Sequence, residues 1–459
     1  MILSRIWIKN PRASFDGTHA NQTNGGVVVE GQRIAEVLAA GQQPSQAVDS
    51  VFDASGMVLT PGLINTHHHF YQTLTRAYRD ALNKPLFAWL TSLYPVWANL
   101  TNEMVEVSTE LALCELMLSG CTTASDHHYV FSNSLDEAID RQAMVAAKLG
   151  MRVVLTRGSM SLGESTGGLP PDKVVQTETA ILDDSLRLVQ RYHDPADYAM
   201  CQVALAPCSP FSVTPELMRE TASLAKQHQV LLHTHLAETH DETQFCIDQL
   251  GLRPVDYMES VDWLNERTWF AHGIHFNSEE IARLGRAGCG VSHCPTSNMT
   301  LASGICPVAE LEHAGVNVGL GVDGSASNDC SNLIQEVRMS LLIQRLGQAQ
   351  QSSEAPLTAH TDSLRWATQG GAALLHRPEL GRLTVGAAAD LALFSLDEPR
   401  FSGSDDALAA LILGGAHRAA AVMINGQWRV SHGALIDVDM AQLQARHQQL
   451  AMSLWQANT

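Results

Sequence analysis

The chain lacks several things that would place it at once. Its nine cysteines are scattered, odd in number and contain no Cys-x-x-Cys pair. That fits free thiols in a reducing compartment better than a disulfide framework. No run of about 18 apolar residues occurs, and the N-terminus MILSRIWIKN has no long apolar core of a signal peptide. A cytoplasmic protein with no membrane partner is the expectation. Cations are also short: 29 Lys and Arg stand against 48 Asp and Glu, a formal charge of −19. Nucleic-acid binding rests on basic side chains neutralising phosphates, so a polyanionic partner is not expected. No low-complexity tract or short-period repeat interrupts the 459 residues, whose 45% hydrophobic content supports a large ordered core.

Against those absences stands Thr60-Pro61-Gly62-Leu63-Ile64-Asn65-Thr66-His67-His68-His69-Phe70. An apolar run meets a Pro-Gly turn, and a β-prone segment then carries three histidines. Alternation along a strand sends His67 and His69 to one face and His68 to the other. Two imidazoles at i, i+2 can chelate one metal ion.

Both ends of the chain read as short strands with turn punctuation, including Gly25–Val29, Arg33–Val37 and, far away, Ala421–Ile424 entering an Asn425-Gly426 hairpin turn. The expectation is a composite β-sandwich domain from residues 1–60 and 376–459. Between them, 61–375 alternates strand-like and helix-like segments; Thr214-Pro215-Glu216, for instance, is a good helix start. About eight such units fit a TIM-like (β/α)8 barrel, making the chain an α/β protein whose reactive residues sit at strand C-terminal ends. The stretch 158–171, with Pro170-Pro171, reads as a long loop over that face.

Histidines and carboxylates recur at the ends of these strand candidates: His235, with Glu238 three residues on; His272 in Ala271-His272-Gly273; and Asp323 in Gly321-Val322-Asp323. A barrel would bring His67, His69, His235 and Asp323 to one mouth, supplying three nitrogens and a carboxylate to one divalent cation. In their order, these motifs resemble the amidohydrolase superfamily, most closely its mononuclear deaminase branch. Gly381–Phe394 resembles the family's usual return strand pair.

The resemblance implies metal ligands at His67, His69, His235 and Asp323, and catalytic roles for Glu238, His272 and Asp323. Dinuclear members bridge two metals with a modified Lys on the fourth strand. Tyr198–Leu205 here has no Lys or Glu, so one metal is expected, zinc ahead of iron. A bound cation yields hydroxide from water near neutral pH. Asp323 then accepts the water proton, His272 stabilises the developing oxyanion, and Glu238 protonates a ring nitrogen.

Gln72 lies where guanine-deaminase-like relatives place an amide that reads the purine edge. Cys208 replaces the His seen in nucleoside-type deaminases, which favours a compact base over a ribosylated one. The strings His67–Arg76 and Ser125–Tyr129 most resemble the 8-oxoguanine deaminase group, a neighbour of the hydroxytriazine aminohydrolases. The implied function is hydrolytic deamination of 8-oxoguanine to urate and ammonia. The alternatives are a hydroxytriazine (alkyl)aminohydrolase, another aminopurine or pyrimidine deaminase and, in a different class, a non-catalytic barrel assembly protein. The partner is a small heterocyclic substrate, and the family's habit implies a homo-oligomer.

Plainer readings stand beside these. Arg157 is expected to meet substrate or else to pair with an acidic group, and Trp89, with Tyr94 and Trp97, to pack the core or a lid, with stacking on substrate as the second reading for Trp89. His233 reads as a buried supporting histidine and His68 as structural. His127 and His128 belong either to the pocket or to a packed loop, and His293 anchors a loop near the mouth.

Overall fold

The structure, a computed structural model, describes residues 4–21, 23–132, 135–351 and 356–457. The extreme ends of the two terminal spans, 1–3 and 458–459, lie outside it. Eight parallel strands close into a barrel: Leu63–Asn65, Cys121–His128, Arg152–Ser159, Cys201–Pro207, Leu232–Leu236, Thr268–His272, Gly290–His293 and Asn317–Leu320. Closure is made where Leu320 pairs with Asn65. Helices cover the outside, so most strand residues are buried on both faces, as all-parallel sheets require. Val154, Ala204, Ile64 and Trp269 share one apolar cluster, while Val153, Leu155, Val203 and Leu205 join the larger one with the helices.

Local chemistry sets the helix ends. Thr214 caps the helix Pro215–His228 by accepting from the Leu217 N–H, with Pro215 in the first turn where its missing N–H costs nothing. Asn277 and Glu280 form a reciprocal capping box on Ser278–Ala287, which ends at left-handed Gly288.

The chain ends form two further sheets and interleave in the second. Arg33–Leu38, Gly26–Glu30, Arg5–Lys9 and Ser50–Asp53 form one. The other runs Ala434–Leu435, Gln427–Ser431, Ala421–Ile424, Leu391–Ser395, Met57–Pro61 and Ala13–Ser14. Here the N- and C-terminal segments pair directly, Pro61 opposite Leu391. The hairpin turn at Asn425-Gly426 has φ of 52° and 75°. A Cβ on Gly426 would stand 1.8 Å from the Gly31 carbonyl oxygen, so only glycine fits.

Two features differ from the sequence reading. Gly381–Gly386 forms turns rather than the first strand of a return pair, because Arg377 and Gly381 turn the chain under the barrel; Leu391–Ser395 is the strand. The helix Met440–Gln456 packs against the helix Asn102–Leu118 of the barrel, not within a sheet. Its His447 Nε2–H donates to Thr73 Oγ1 at 3.0 Å and its Trp455 Nε1–H to the Leu74 carbonyl at 2.8 Å. Under the barrel, buried Arg152 holds Asp390 in two bonds of 2.9 and 3.0 Å and also donates to the carbonyls of Tyr198 and Ala199, tying the third strand to the terminal sheet. Among the described residues no helix is long and apolar enough to cross a membrane.

Candidate metal centre and active site

The first barrel strand stops at Asn65, so the histidine triplet lies just beyond it and not within it. Asn65 Oδ1 accepts the Val322 N–H at 2.9 Å, and the His67 carbonyl accepts the Asp323 N–H at 3.1 Å. These bonds lock the segment after the eighth strand against the segment after the first. Extended backbone still alternates there: His67 and His69 face inward, while His68 turns away and bonds Ser331 Oγ at 2.8 Å.

Four donor atoms converge. His67 Nε2 and His69 Nε2 lie 3.3 and 3.2 Å from Asp323 Oδ1, and His235 Nε2 lies 3.2 Å from His69 Nε2. Ligand atoms about 2.0–2.1 Å from a zinc-sized ion would stand about 3 Å apart, so these three spacings fit one such ion. His67 Nε2 is buried without a hydrogen-bond partner, as an atom reserved for a ligand would be.

The other ring nitrogens set the tautomers. His69 Nδ1–H donates to the His127 carbonyl at 2.6 Å and His235 Nδ1–H to the Cys208 carbonyl at 2.7 Å. His67 Nδ1–H donates to His233 Nε2 at 2.8 Å, and His233 Nδ1–H passes the chain to the Trp269 carbonyl at 2.9 Å. All three Nε2 lone pairs therefore face inward. Burial holds His67 and His235 well below the ordinary imidazole range and so keeps them neutral. Burial opposes ionisation of Asp323, but the imidazoles of His67 and His69 set against its carboxylate outweigh it and hold the carboxyl well below its usual range.

Beside this cluster, His272 Nε2 lies 3.6 Å from Glu238 Oε2 and 3.8 Å from Asp323 Oδ2, while its Nδ1–H donates to Asn298 Oδ1 at 2.9 Å. Burial works against a charged His272, yet Glu238 and Asp323 together raise its affinity for a proton. Burial raises Glu238 in turn. A carboxyl and an imidazole that both tend to carry a proton, side by side in a pocket, are suited to proton transfer.

The sequence reading missed the residues that aim these groups. Glu242, buried and pushed up to about 7 by desolvation, accepts the N–H groups of Ala237 and Glu238 at 2.8 and 2.9 Å. Ser297 Oγ donates to Asp323 Oδ2 at 2.6 Å. A visible signal existed for Glu242, which lies one helical turn beyond Glu238. Ser297 and Asn298 carried only the helix start at Pro295 after His293.

A pocket opens above the donors, walled by Gln72, Trp89, Tyr94, Tyr129, Cys208, Phe211 and the cluster itself. Gln72 is buried and neither amide atom has a partner. Burial pushes the Cys208 thiol up to about 12, so it is neutral. Trp89 and Tyr94 come from the helix Leu86–Trp97, and Trp89 Nε1–H is held by the Ala326 carbonyl at 3.3 Å. The 158–171 connection adds no wall residue and instead bonds to Phe211 and Ser212 backbone.

Of the two readings of Arg157, the structure shows the pairing with an acidic group and not the substrate contact. Its guanidinium faces the helices outside the barrel, donating to Asp184 at 2.6 Å, to Gln176 at 2.9 Å and to the Gly158 carbonyl, with Phe131 beneath it. It shares a strand face with Val153 and Leu155, which pack outward, so it cannot reach the pocket. His127 and His233 are buried among the cluster, whereas His293 bonds Gln344 on an outer helix.

A closed parallel barrel with three imidazoles and a carboxylate gathered at its strand ends defines the metal-dependent hydrolase type of (β/α)8 protein. The chain belongs to the amidohydrolase family, whose model matches residues 58–429. It is 59% identical over 452 residues to 8-oxoguanine deaminase of Pseudomonas aeruginosa, covering 98% of this chain and 99% of that one. It is 40% identical to hydroxydechloroatrazine ethylaminohydrolase of a Pseudomonas strain, over 77% of this chain and 74% of the relative. Among solved structures, atrazine chlorohydrolase from Arthrobacter aurescens complexed with zinc superposes with a TM-score of 0.91 at 29% identity, covering 97% of this chain and all of that one.

Proposed function

We propose that the protein is an aminohydrolase that converts 8-oxoguanine and water to urate and ammonia. The observation that carries this reading is the unpartnered Gln72 amide in a pocket beside the three-histidine, one-aspartate cluster. The near-full-length 59% identity to an 8-oxoguanine deaminase supports it. An amide both donates and accepts, which matches a ring N–H next to a carbonyl.

His67, His69, His235 and Asp323 would hold one divalent ion, zinc ahead of iron, consistent with the zinc in the related solved structure. When bound, such an ion lowers the pKa of water to about 7 and so supplies the nucleophile. Glu238 delivers a proton to the ring nitrogen next to the amino-bearing carbon, which makes that carbon electrophilic. Asp323 takes the proton released by the attacking water, and His272 donates a hydrogen bond to the developing oxygen anion. Asp323 then passes the proton it took from water to the amino group, the C–N bond breaks with loss of ammonia, and the remaining hydroxyl proton restores Glu238 as the carbonyl forms. Gln72 orients the base, Trp89 covers its face, and Cys208 closes the wall near His235.

The catalytic barrel would span 61–375, with 1–60 and 376–459 as the composite β domain. We propose a cytoplasmic homo-oligomer as the working form: the nine unpaired cysteines fit a reducing compartment, and the oligomer is the family's habit.

The test is ammonia release from 8-oxoguanine, guanine, isocytosine and hydroxyatrazine, with metal content measured on the same sample. Fastest turnover of 8-oxoguanine by protein holding one metal per chain is expected. Undetectable ammonia from 8-oxoguanine sinks the reading. Preference for hydroxyatrazine would move the enzyme to the triazine branch, and protein without transition metal or turnover would make it a non-catalytic barrel.

A further inference from the structure

Gly324 directly follows Asp323, and its N–H donates to Asp323 Oδ1 at 2.6 Å. It is not among the glycines with positive φ, so its backbone conformation is open to other residues. Space, not conformational freedom, accounts for glycine here. A Cβ at this position would stand 1.9 Å from Gln72 Oε1, 2.3 Å from Cδ and 3.0 Å from Nε2. The Gln72 amide therefore lies against the bare Cα of Gly324. Gln72 is only 1% exposed, and both polar atoms of its amide lack partners. Burying a primary amide with neither end bonded is unfavourable unless a ligand supplies the missing bonds.

We infer that Gly324 is a specificity-determining residue: it is the seat that holds the Gln72 amide toward a ring N–H and its adjacent carbonyl on the substrate. The inference rests on the reading of Gln72 as the group that meets the substrate. Because residue 324 also bonds Asp323, one dipeptide fixes the distance between the reader and the metal-facing carboxylate. A methyl group at 324 meets the far end of a flexible side chain and not backbone, so the fold and the N–H to Asp323 survive while the amide is displaced.

The test is a double-mutant cycle on the holoenzyme with Gly324→Ala, Gln72→Ala and both, using the panel compound that the wild type deaminates fastest. Gly324→Ala is expected to lower kcat/KM about tenfold or more, chiefly through KM, by costing the amide its substrate bonds. Metal content and thermal midpoint should stay unchanged. In the Gln72→Ala background the same substitution should change kcat/KM by less than about twofold, because the two act as one unit. Gln72→Asn, which withdraws the amide by one methylene, should recover part of the loss in Gly324→Ala. Additive losses, no loss, absence of that recovery, or loss of metal from Gly324→Ala each overturn the inference. Fastest turnover of a compound other than 8-oxoguanine refutes the substrate reading alone and leaves the cycle readable. Additivity with 8-oxoguanine as substrate refutes the seat alone, and no turnover of any compound removes both.

Discussion

His233 touches no pocket atom, yet its replacement by Phe should weaken metal binding. In the native chain His233 spends its Nδ1 proton on the Trp269 carbonyl, so its Nε2 can only accept, and His67 must keep its own proton on Nδ1. A phenyl ring can preserve the stack on Trp269, whose ring centroid lies 4.3 Å away at 17°. It removes the acceptor. His67 and His233 are both fully buried, so water cannot replace the lost partner. His67 is then free to carry its proton on Nε2, toward Asp323 Oδ1 at 3.3 Å, and a metal must displace that proton before it binds. An unpaired buried donor costs about 1–3 kcal/mol. Loss of the outer partner of a metal-bound imidazole typically costs about 10–100-fold in affinity, or about 1.4–2.7 kcal/mol. The two magnitudes agree, so an affinity loss of about 10–100-fold is expected in competition with a chromophoric zinc chelator. His293→Phe is the control, since the His293 ring bonds Gln344 on an outer helix, and its affinity should hold. An affinity for His233→Phe within about twofold of wild type would show that His67 does not depend on this relay, and the tautomer argument would fail.

Glu238→Gln keeps the shape of the side chain but cannot shuttle protons; it should retain metal while kcat falls by about 10²–10⁴-fold in an ammonia-release assay. Unchanged turnover would remove its acid–base assignment. His447 carries a pH signature: burial, with Arg76 nearby, pushes it down from the ordinary 6.5 to about 4. The folded state thus binds fewer protons than the unfolded one in that window, so stability is fully present above pH 6.5 and is lost as pH falls to 4, by about 3 kcal/mol. His447→Gln retains a donor for Thr73 and should remove this component in urea unfolding between pH 7 and 4; equal pH dependence of the two proteins would contradict it.

The convergence of His67, His69, His235 and Asp323 is legible in the chain because each donor ends or follows an apolar run, and barrel topology sends all such ends to one mouth. Arg157 is not legible in the same way. Its strand Arg152–Ser159 is buried on both faces, so no polar–apolar alternation marks which face looks inward. Only the helix Glu178–Tyr192, which brings Asp184 against it, settles the side. Glu242, Ser297 and Asn298 escape for a related reason: their partners are set by where short helices land after the strands, and sequence spacing does not encode that. Trp89 and Tyr94 were readable as a lid or a core pair, and the pocket takes them as wall.

Three residues at the mouth, Ala237, His272 and Asp323, have φ of 54°, 71° and 63°. A side chain in the left-handed region costs about 1–3 kcal/mol unless its surroundings impose it. Each is imposed here. Glu242 takes the Ala237 N–H, Asn298 takes the His272 Nδ1–H, and Ser297 with the Gly324 N–H fixes Asp323. Straight continuation of the strands would carry Glu238, His272 and Asp323 apart along the barrel axis; a left-handed turn bends each one across the mouth. The strands therefore supply position, and the bonded turns just beyond them supply direction. On that account the short helices His240–Phe245 and Pro295–Thr300 matter to the chemistry through the backbone they hold, although neither lines the pocket.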